Sequence, residues 1–171
     1  MKHKPIFSII FTTLVLLLFS QGGKAMEITS TDFKNNQPIP SLHTCDGKDI
    51  SPHLTWSGAP EGTKSFALSC IDPDAPMGDF IHWFIYNIPA TATEIPQGGP
   101  LPAGAQEVSN DFGKKVYGGP CPPSGTHRYY FVLYALKAGN LGAVSKKDFL
   151  QKVKENQLAS AEIMGLYTRG K

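Results

Sequence analysis

The sequence is short of cysteine and of net charge, and each shortage excludes a class of protein. Three cysteines occur among 171 residues. No two of them form a Cys-x-x-Cys pair, so neither a zinc ribbon nor a thioredoxin-type site is supported. The 16 basic and 14 acidic residues nearly cancel. A nucleic-acid-binding protein needs a basic surface to contact phosphates, so we expect no nucleic-acid partner.

Long apolar runs are also scarce. Ile6–Phe19 is apolar apart from three hydroxyl residues, but its 14 residues fall short of the roughly 20 that a membrane-spanning helix needs. Two lysines precede this run and the small residues Gly23 and Ala25 follow it, which is typical of a secretory signal peptide. We therefore predict that residues 1–25 are a signal peptide and that residues 26–171 are one periplasmic or secreted domain. An uncleaved N-terminal anchor is the alternative.

Cleavage would change the charge of the chain. The predicted signal peptide holds three lysines and no acidic residue, so 13 basic residues would remain against 14 acidic ones, a net charge of about −1. The mature domain would carry no membrane span, and its near-neutral charge again argues against nucleic-acid binding.

Several motifs of catalysis and metal binding are absent as well. The sequence contains no Gly-x-Ser-x-Gly nucleophile elbow, no His-Glu-x-x-His zinc motif and no glycine-rich phosphate loop before a helix. We therefore predict a protein that is not an enzyme, with no catalytic residue, no metal and no cofactor.

What the sequence does contain is glycine, proline and short apolar runs. The 17 glycines and 14 prolines indicate many turns between short elements. Alternating or continuous runs of apolar, β-branched and aromatic residues predict strands. The predicted strands cover residues 26–34, 39–44, 54–57, 65–71, 80–88 and 127–136. Residues 91–113 are predicted to be irregular.

The C-terminal part has a different pattern. Ser145 and Asp148 form a Ser-x-x-Asp helix start, and the apolar residues after it recur at helical spacing. We predict a helix there, continued by a second helical stretch over residues 159–167. Strands followed by helix indicate a mostly β fold, either a β-sandwich with a terminal helix or an α+β domain.

The three cysteines have different surroundings. Cys45 and Cys121 lie in Gly/Pro-rich loops, whereas Cys70 lies in an apolar run that predicts a buried strand. Because an exported protein meets an oxidising compartment, we expect a Cys45–Cys121 disulfide and a buried free thiol at Cys70.

Two proline-stiffened loops carry polar residues at the start of apolar strands. One contains Asp72 and Asp74 and leads to His82; the other leads to His127 and Tyr129. Strand alternation places His127 and Tyr129 on one face and the residue between them on the other. If the strands pair, His82 joins the same concavity. Histidine and tyrosine donate hydrogen bonds to phosphate or carboxylate oxygens, and the aspartates would orient the histidines and stabilise their protonated forms.

These segments resemble the signature regions of the phosphatidylethanolamine-binding proteins, also called Raf-kinase-inhibitor-like proteins. The matching motifs are Asp72-Pro-Asp-Ala-Pro76, His82-Trp83 and Gly125-Thr-His-Arg-Tyr129. The segment Tyr117-Gly-Gly-Pro-Cys-Pro-Pro123 and the ending Ala161–Tyr167 are similar to the bacterial branch. The likeness covers nearly all of residues 26–171.

The resemblance implies a fold and a ligand class. The fold would be an antiparallel β-sandwich with a C-terminal α-helix. The pocket would bind a phosphate-like or carboxylate anion, including a phospholipid head group, and Ala75–Pro76 would be a cis peptide. The implied ligand-binding residues are Asp72, Asp74, Pro76, His82, Pro122, Pro123, His127 and Tyr129.

The resemblance also implies how such a protein acts. Members of the family work by binding, as inhibitors of kinases or proteases or as signalling scaffolds. A signal peptide would put this chain outside the cytoplasm, so a kinase target would have to be extracellular or from a host. Two alternatives stay open: a hydrolase that uses the Asp/His set, and a carrier of lipid head groups.

Overall fold

The computed structural model describes residues 25–169; all but the last residue of the predicted signal peptide lie outside this range. The described chain is mostly β. Its strands are β1 (Glu27–Thr29), β2 (Gln37–Pro38), β3 (Leu54–Ser57), β4 (Ser65–Asp72), β5 (Phe80–Pro89), β6 (Glu94–Ile95), β7 (Gln106–Val108), β8 (Thr126–Leu136) and β9 (Gln157–Thr168). A 3-10 turn covers Ser41–His43, and the helix α1 covers Phe149–Asn156.

The strands form two open sheets. The smaller sheet has the order β1-β3-β6 and the larger one the order β2-β9-β8-β4-β5-β7. The pairs are antiparallel except for β2 with β9, which are parallel. The predicted β-sandwich with a helix in its C-terminal part is confirmed.

Hydrophobic residues cover both faces of the larger sheet. On one face, Phe66 and Leu133 pack with Trp56 and Leu54 of the smaller sheet. On the other face, Phe84 stacks on Phe149 of α1, with ring centroids 4.0 Å apart. A strand buried on both faces has no polar side, which is why β4 and β5 appear in the sequence as continuous apolar runs.

The central strands lie where the sequence predicts them. The predicted strands 54–57, 65–71, 80–88 and 127–136 correspond to β3, β4, β5 and β8, each within one residue at either end. The predicted Ser145–Asp148 contact is present, because the backbone N–H and the hydroxyl of Ser145 donate to the Asp148 carboxylate at 2.6 and 2.8 Å. The helix itself begins later, at Phe149, with Asp148 as its N-cap.

Two predicted elements are wrong, and the strand predicted over residues 26–34 is confirmed only at Glu27–Thr29. Residues 39–44 are not a strand, because Pro40 leads directly into the 3-10 turn, and only Gln37–Pro38 pairs, with β9. Residues 159–167 are not helical. The chain leaves α1 at Gln157 in an extended conformation and forms β9, which pairs with the full length of β8. Residues 91–113 are irregular apart from the short β6 and β7.

The predicted disulfide is present in the structure. Cys45 and Cys121 are bonded, with their Cα atoms 5.4 Å apart, and Cys70 is a buried free thiol. Across residues 25–169, the structure contains no helix long and apolar enough to cross a membrane.

Candidate functional site

A pocket of about 210 Å³ lies where β4 ends and where β5 and β8 begin. It is lined by Asp72, Ala75, Pro76, Phe80, His82, Phe112, Cys121, Pro122, Pro123 and His127. The sheet order explains this meeting of distant residues. In the register of β4 and β5, Asp72 lies opposite Phe80, and in that of β4 and β8, Ile71 lies opposite Tyr130. Antiparallel pairing therefore brings one end of β4 beside the starts of both neighbours.

Asp72 and His127 form a buried hydrogen-bonded pair at the base of the pocket. Nδ1 of His127 lies 2.7 Å from Oδ2 of Asp72, and the two residues are only 6% and 3% exposed. The other carboxylate oxygen accepts the backbone N–H of Asp74 at 2.8 Å. Since a carboxylate only accepts, His127 donates through Nδ1, and Nε2 is the nitrogen left to face the pocket.

His82 is held in a different way. Its Nδ1 donates to the carbonyl of Gly118 at 2.6 Å. Its ring lies among Phe80, Phe112 and Tyr129, with centroid distances of 5.1, 5.5 and 5.1 Å. Burial lowers the pKa of His82, and the Gly118 carbonyl opposes that effect. His82 therefore favours its neutral form, with Nε2 toward the pocket.

The carbonyl that holds His82 belongs to a segment where two glycines are required. A Cβ on Gly118 would overlap the Phe112 ring, and one on Gly119 would overlap the His43 carbonyl. The Gly119 N–H donates to Asp49 at 2.6 Å, and Asp49 has a positive φ of 56°, which is uncommon for a residue other than glycine. This close packing fixes the Gly118 carbonyl and, through it, the His82 ring.

Most of the predicted ligand-binding residues lie together in this pocket. Asp72, Pro76, His82, Pro122, Pro123 and His127 all line it, whereas Asp74 and Tyr129 do not. The sequence also predicted that both aspartates orient the pocket histidines. In the structure Asp72 orients His127, whereas Asp74 contacts neither pocket histidine through a hydrogen bond.

Asp74 instead forms an ion pair at the protein surface. Its carboxylate accepts the Arg128 backbone N–H and Nε–H at 2.9 Å each, and the guanidinium NH2 group at 2.6 Å. The hydrogen bonds from Arg128 lower the pKa of Asp74 to about 2. This pair ties the loop after β4 to the start of β8, and Arg128 lies outside the pocket lining, as strand alternation predicts.

Tyr129 lies beneath the pocket and does not line it. Its side chain is fully buried against the His82 ring, and its hydroxyl has no hydrogen-bond partner among the described residues. Burial, followed by the charge of Asp72, raises the pKa of Tyr129 well above its usual range. Tyr129 therefore packs against His82 as a neutral, buried side chain.

Four residues of the lining were not predicted from the sequence. Phe80 and Phe112 pack edge to face with centroids 4.9 Å apart, and both line the pocket together with Ala75 and Cys121. Phe112 is 43% exposed. Phe80 could have been found, since it begins the strand that carries His82; no local pattern marks Phe112.

Two further expectations concern the backbone and metals. The expected cis peptide at Ala75–Pro76 is wrong, because every peptide bond described in residues 25–169 is trans, the form that X–Pro bonds also prefer. In the same range, no group of three or more His, Cys, Asp or Glu side chains is placed to hold a metal ion.

Larger concavities occur elsewhere on the molecule. One of about 320 Å³ lies between β1 and β9, and one of about 360 Å³ lies beside Trp83. Within residues 25–169, neither lining includes a histidine. The pocket at His82 and His127 is therefore the candidate site because of its chemistry, not its size.

The family model described as phosphatidylethanolamine-binding protein matches residues 29–168. A UPF0098 protein of Aquifex aeolicus is 50% identical over 160 residues, which cover 89% of this chain and 94% of that protein. The UPF0098 protein YbcL of Escherichia coli is 40% identical over 176 aligned residues, which cover 93% of this chain and 96% of that protein.

Solved structures agree with the sequence relatives. The crystal structure of Escherichia coli YbcL, described as a new member of the mammalian PEBP family, matches with a TM-score of 0.81 at 38% identity, covering 86% of this chain and 100% of that one. The structure of CT736 from Chlamydia trachomatis, described as a putative PEBP homolog, matches with a TM-score of 0.79 at 36% identity, covering 85% and 99%. The chain therefore belongs to the phosphatidylethanolamine-binding protein family.

Proposed function

We propose that this chain is an exported, non-enzymatic binding protein whose pocket takes a phosphate-like or carboxylate anion. The observation that carries the proposal is the pair of buried imidazoles, His82 and His127, whose Nδ1 atoms are both engaged within the protein. Their Nε2 atoms are left for a ligand. The head group of a phospholipid belongs to the same ligand class, in keeping with the family description.

The charge of the pocket is compatible with a bound anion when His127 is protonated. The Asp72 carboxylate then balances the imidazolium, and its oxygens are turned toward His127 and the Asp74 N–H. The charge-assisted bond from Nε2 would be directed at the ligand. Apolar walls from Pro76, Phe80 and Phe112 exclude water and so strengthen that bond.

The lining favours binding over hydrolysis. An Asp–His pair is the arrangement that activates a nucleophile. However, the lining residues, all within the described part of the chain, include no serine, no threonine and no free thiol, because Cys121 is in the disulfide. The same lining is too small for acyl chains, so a lipid carrier would hold the head group only.

The biological role follows from anion binding and export. We propose that the occupied pocket modulates a partner protein, such as a kinase or a protease that presents a phosphorylated or acidic group. For an exported protein, that partner lies in the periplasm or outside the cell.

Calorimetric titration with phenyl phosphate, a simple phosphomonoester, tests the proposal. His82→Ala and His127→Ala each remove one ligand-facing nitrogen, and we expect binding about tenfold weaker or worse for each, the loss of a charge-assisted hydrogen bond. His53→Ala is the matched control, because His53 contacts Glu94 at 3.3 Å away from the pocket. If both pocket variants bind as well as the control, the site is misassigned.

A further inference from the structure

The two histidines of the pocket differ in what they can offer a ligand. His82 donates Nδ1–H to a backbone carbonyl at 2.6 Å, and a carbonyl cannot donate in return. A neutral His82 therefore has its only N–H on Nδ1, and Nε2 presents a lone pair. His127 donates Nδ1–H to a carboxylate, Asp72, and not to a neutral carbonyl, and the proposed function assigns the donor role toward a bound anion to its Nε2.

The surroundings keep His82 in this acceptor role. Three aromatic rings enclose it, and the residue is 3% exposed. Three carboxylates interact electrostatically with the His82 ring: Asp72 at the end of β4, Asp49 before β3 and Asp111 after β7. The other titratable group of the pocket is His127. Burial outweighs these carboxylates, and the pKa of His82 lies below its ordinary value.

A fully deprotonated anion does not fit a pocket in which Nε2 of His127 donates a hydrogen bond and Nε2 of His82 accepts one. Its oxygens would accept from His127, but another oxygen would face the Nε2 lone pair of His82. A ligand that carries its own O–H satisfies both sites, because one oxygen accepts from His127 and the O–H donates to His82. Leaving a buried acceptor unpaired costs about 1–3 kcal/mol.

We propose that the pocket selects an anion that bears a proton, such as the monoanion of a phosphomonoester, and that His82 is the residue that reads this proton. This inference rests on the proposed function and narrows it. It separates ligands of the same shape and charge: a phosphomonoester monoanion has the required O–H, and a sulfate monoester does not.

Phenyl phosphate and phenyl sulfate are the matched probes. Near pH 6 a large share of phenyl phosphate is the monoanion, since the second pKa of a phosphomonoester is about 6. It then has the same charge and nearly the same shape as phenyl sulfate, but it carries an O–H that phenyl sulfate lacks. By calorimetry at about pH 6, we expect phenyl phosphate to bind about 10- to 100-fold more tightly than phenyl sulfate, the range set by an unpaired buried acceptor.

The pH dependence gives a second test on the unaltered protein. Above the ligand pKa the monoanion becomes scarcer, so the affinity for phenyl phosphate should fall by about tenfold or more between pH 7 and pH 8. Titrations in two buffers of different ionisation enthalpy at about pH 8 should show about one more proton taken up per phenyl phosphate bound than per phenyl sulfate bound, because protonation of a histidine contributes to both.

His82→Gln is the variant that addresses the residue itself. A glutamine amide can donate as well as accept, so the preference for phenyl phosphate over phenyl sulfate should shrink to within about threefold, the range of one weakened hydrogen bond. If this variant does not fold, the proton uptake of the wild-type protein still decides the matter.

The outcomes separate the two proposals. Equal binding of both probes, or equal proton uptake with both, would overturn the proton-selective role of His82 and leave anion binding in place. Binding of neither probe would overturn the proposed function, and the present inference with it.

Discussion

At the scale of single residues, one carboxylate organises the site. Asp72 fixes the His127 ring with one oxygen and the backbone of the following turn with the other. Asp74, two residues later, has the same side chain but turns outward to Arg128. Asp72 therefore has an electrostatic role in the pocket, and Asp74 has a structural role at the surface.

This difference predicts unequal effects of the same substitution. In Asp72→Asn, the amide still contacts its neighbours but no longer balances an imidazolium at His127, so we expect phenyl phosphate to bind about tenfold more weakly or worse. In Asp74→Asn we expect binding within about twofold of wild type, because exposed ion pairs contribute little. Calorimetry on both folded variants measures this. Equal losses in the two would mean that Asp72 does not act through its charge at His127.

The sequence predicts the site residues best within strands, where side chains alternate between the two faces of the sheet. It places His127 and Tyr129 on one face correctly, but Tyr129 lies one step deeper in the sheet, under His82. Asp72 ends β4, so the two-residue period no longer describes Asp74. Phe112 comes from an irregular segment and joins the pocket only by packing on Phe80, which no local pattern reveals.

At the scale of elements, β9 shows tertiary pairing overriding local preference. Its Ala, Leu, Glu and Met residues are good helix formers, which is why helix was predicted there. Yet its buried side chains include Ile163, which lies between the exposed Glu162 and the half-buried Met164, and without β9 one edge of β8 would be unpaired over its whole length. In contrast, β5 and β8 are rich in β-branched and aromatic residues, so their local and tertiary preferences agree.

A glycine in β9 tests this pairing. A Cβ at Gly165 would overlap the side chain of Ile39, which is 2% exposed. We expect Gly165→Ala to lower the free energy of unfolding by about 1–3 kcal/mol, the usual cost of overpacking, as measured by urea denaturation.

The control for this prediction is Gly139→Ala. There a new Cβ would meet Lys64 at an ordinary contact distance of 3.8 Å, so we expect a change within about 0.5 kcal/mol. A Gly165→Ala protein as stable as this control would show that β9 does not pack on Ile39 as described.

At the scale of the whole molecule, the disulfide links the pocket to the rest of the domain. Cys121 lines the pocket beside Pro122, and its bond to Cys45 closes a loop over a sequence separation of 76. That loop includes β3 to β7. The bond therefore constrains the unfolded chain across much of the larger sheet.

Reduction of this bond should be measurable as lost stability. A loop of this length is expected to contribute about 4 kcal/mol in the chain-entropy view, within a usual range of about 2–5 kcal/mol. Urea unfolding with and without reductant measures the difference. The Cys45→Ser/Cys121→Ser variant should match the reduced protein and not respond to reductant. Equal stability of the oxidised and reduced wild-type protein would contradict the prediction.

The central claim is that the space between His82 and His127 is an anion site, and a crystal structure with bound phenyl phosphate tests it most directly. We expect the phosphate group in this pocket, with one oxygen within hydrogen-bond distance of Nε2 of His127 and another within that distance of Nε2 of His82. A phosphate bound elsewhere while this pocket stays empty at a saturating ligand concentration would contradict the account.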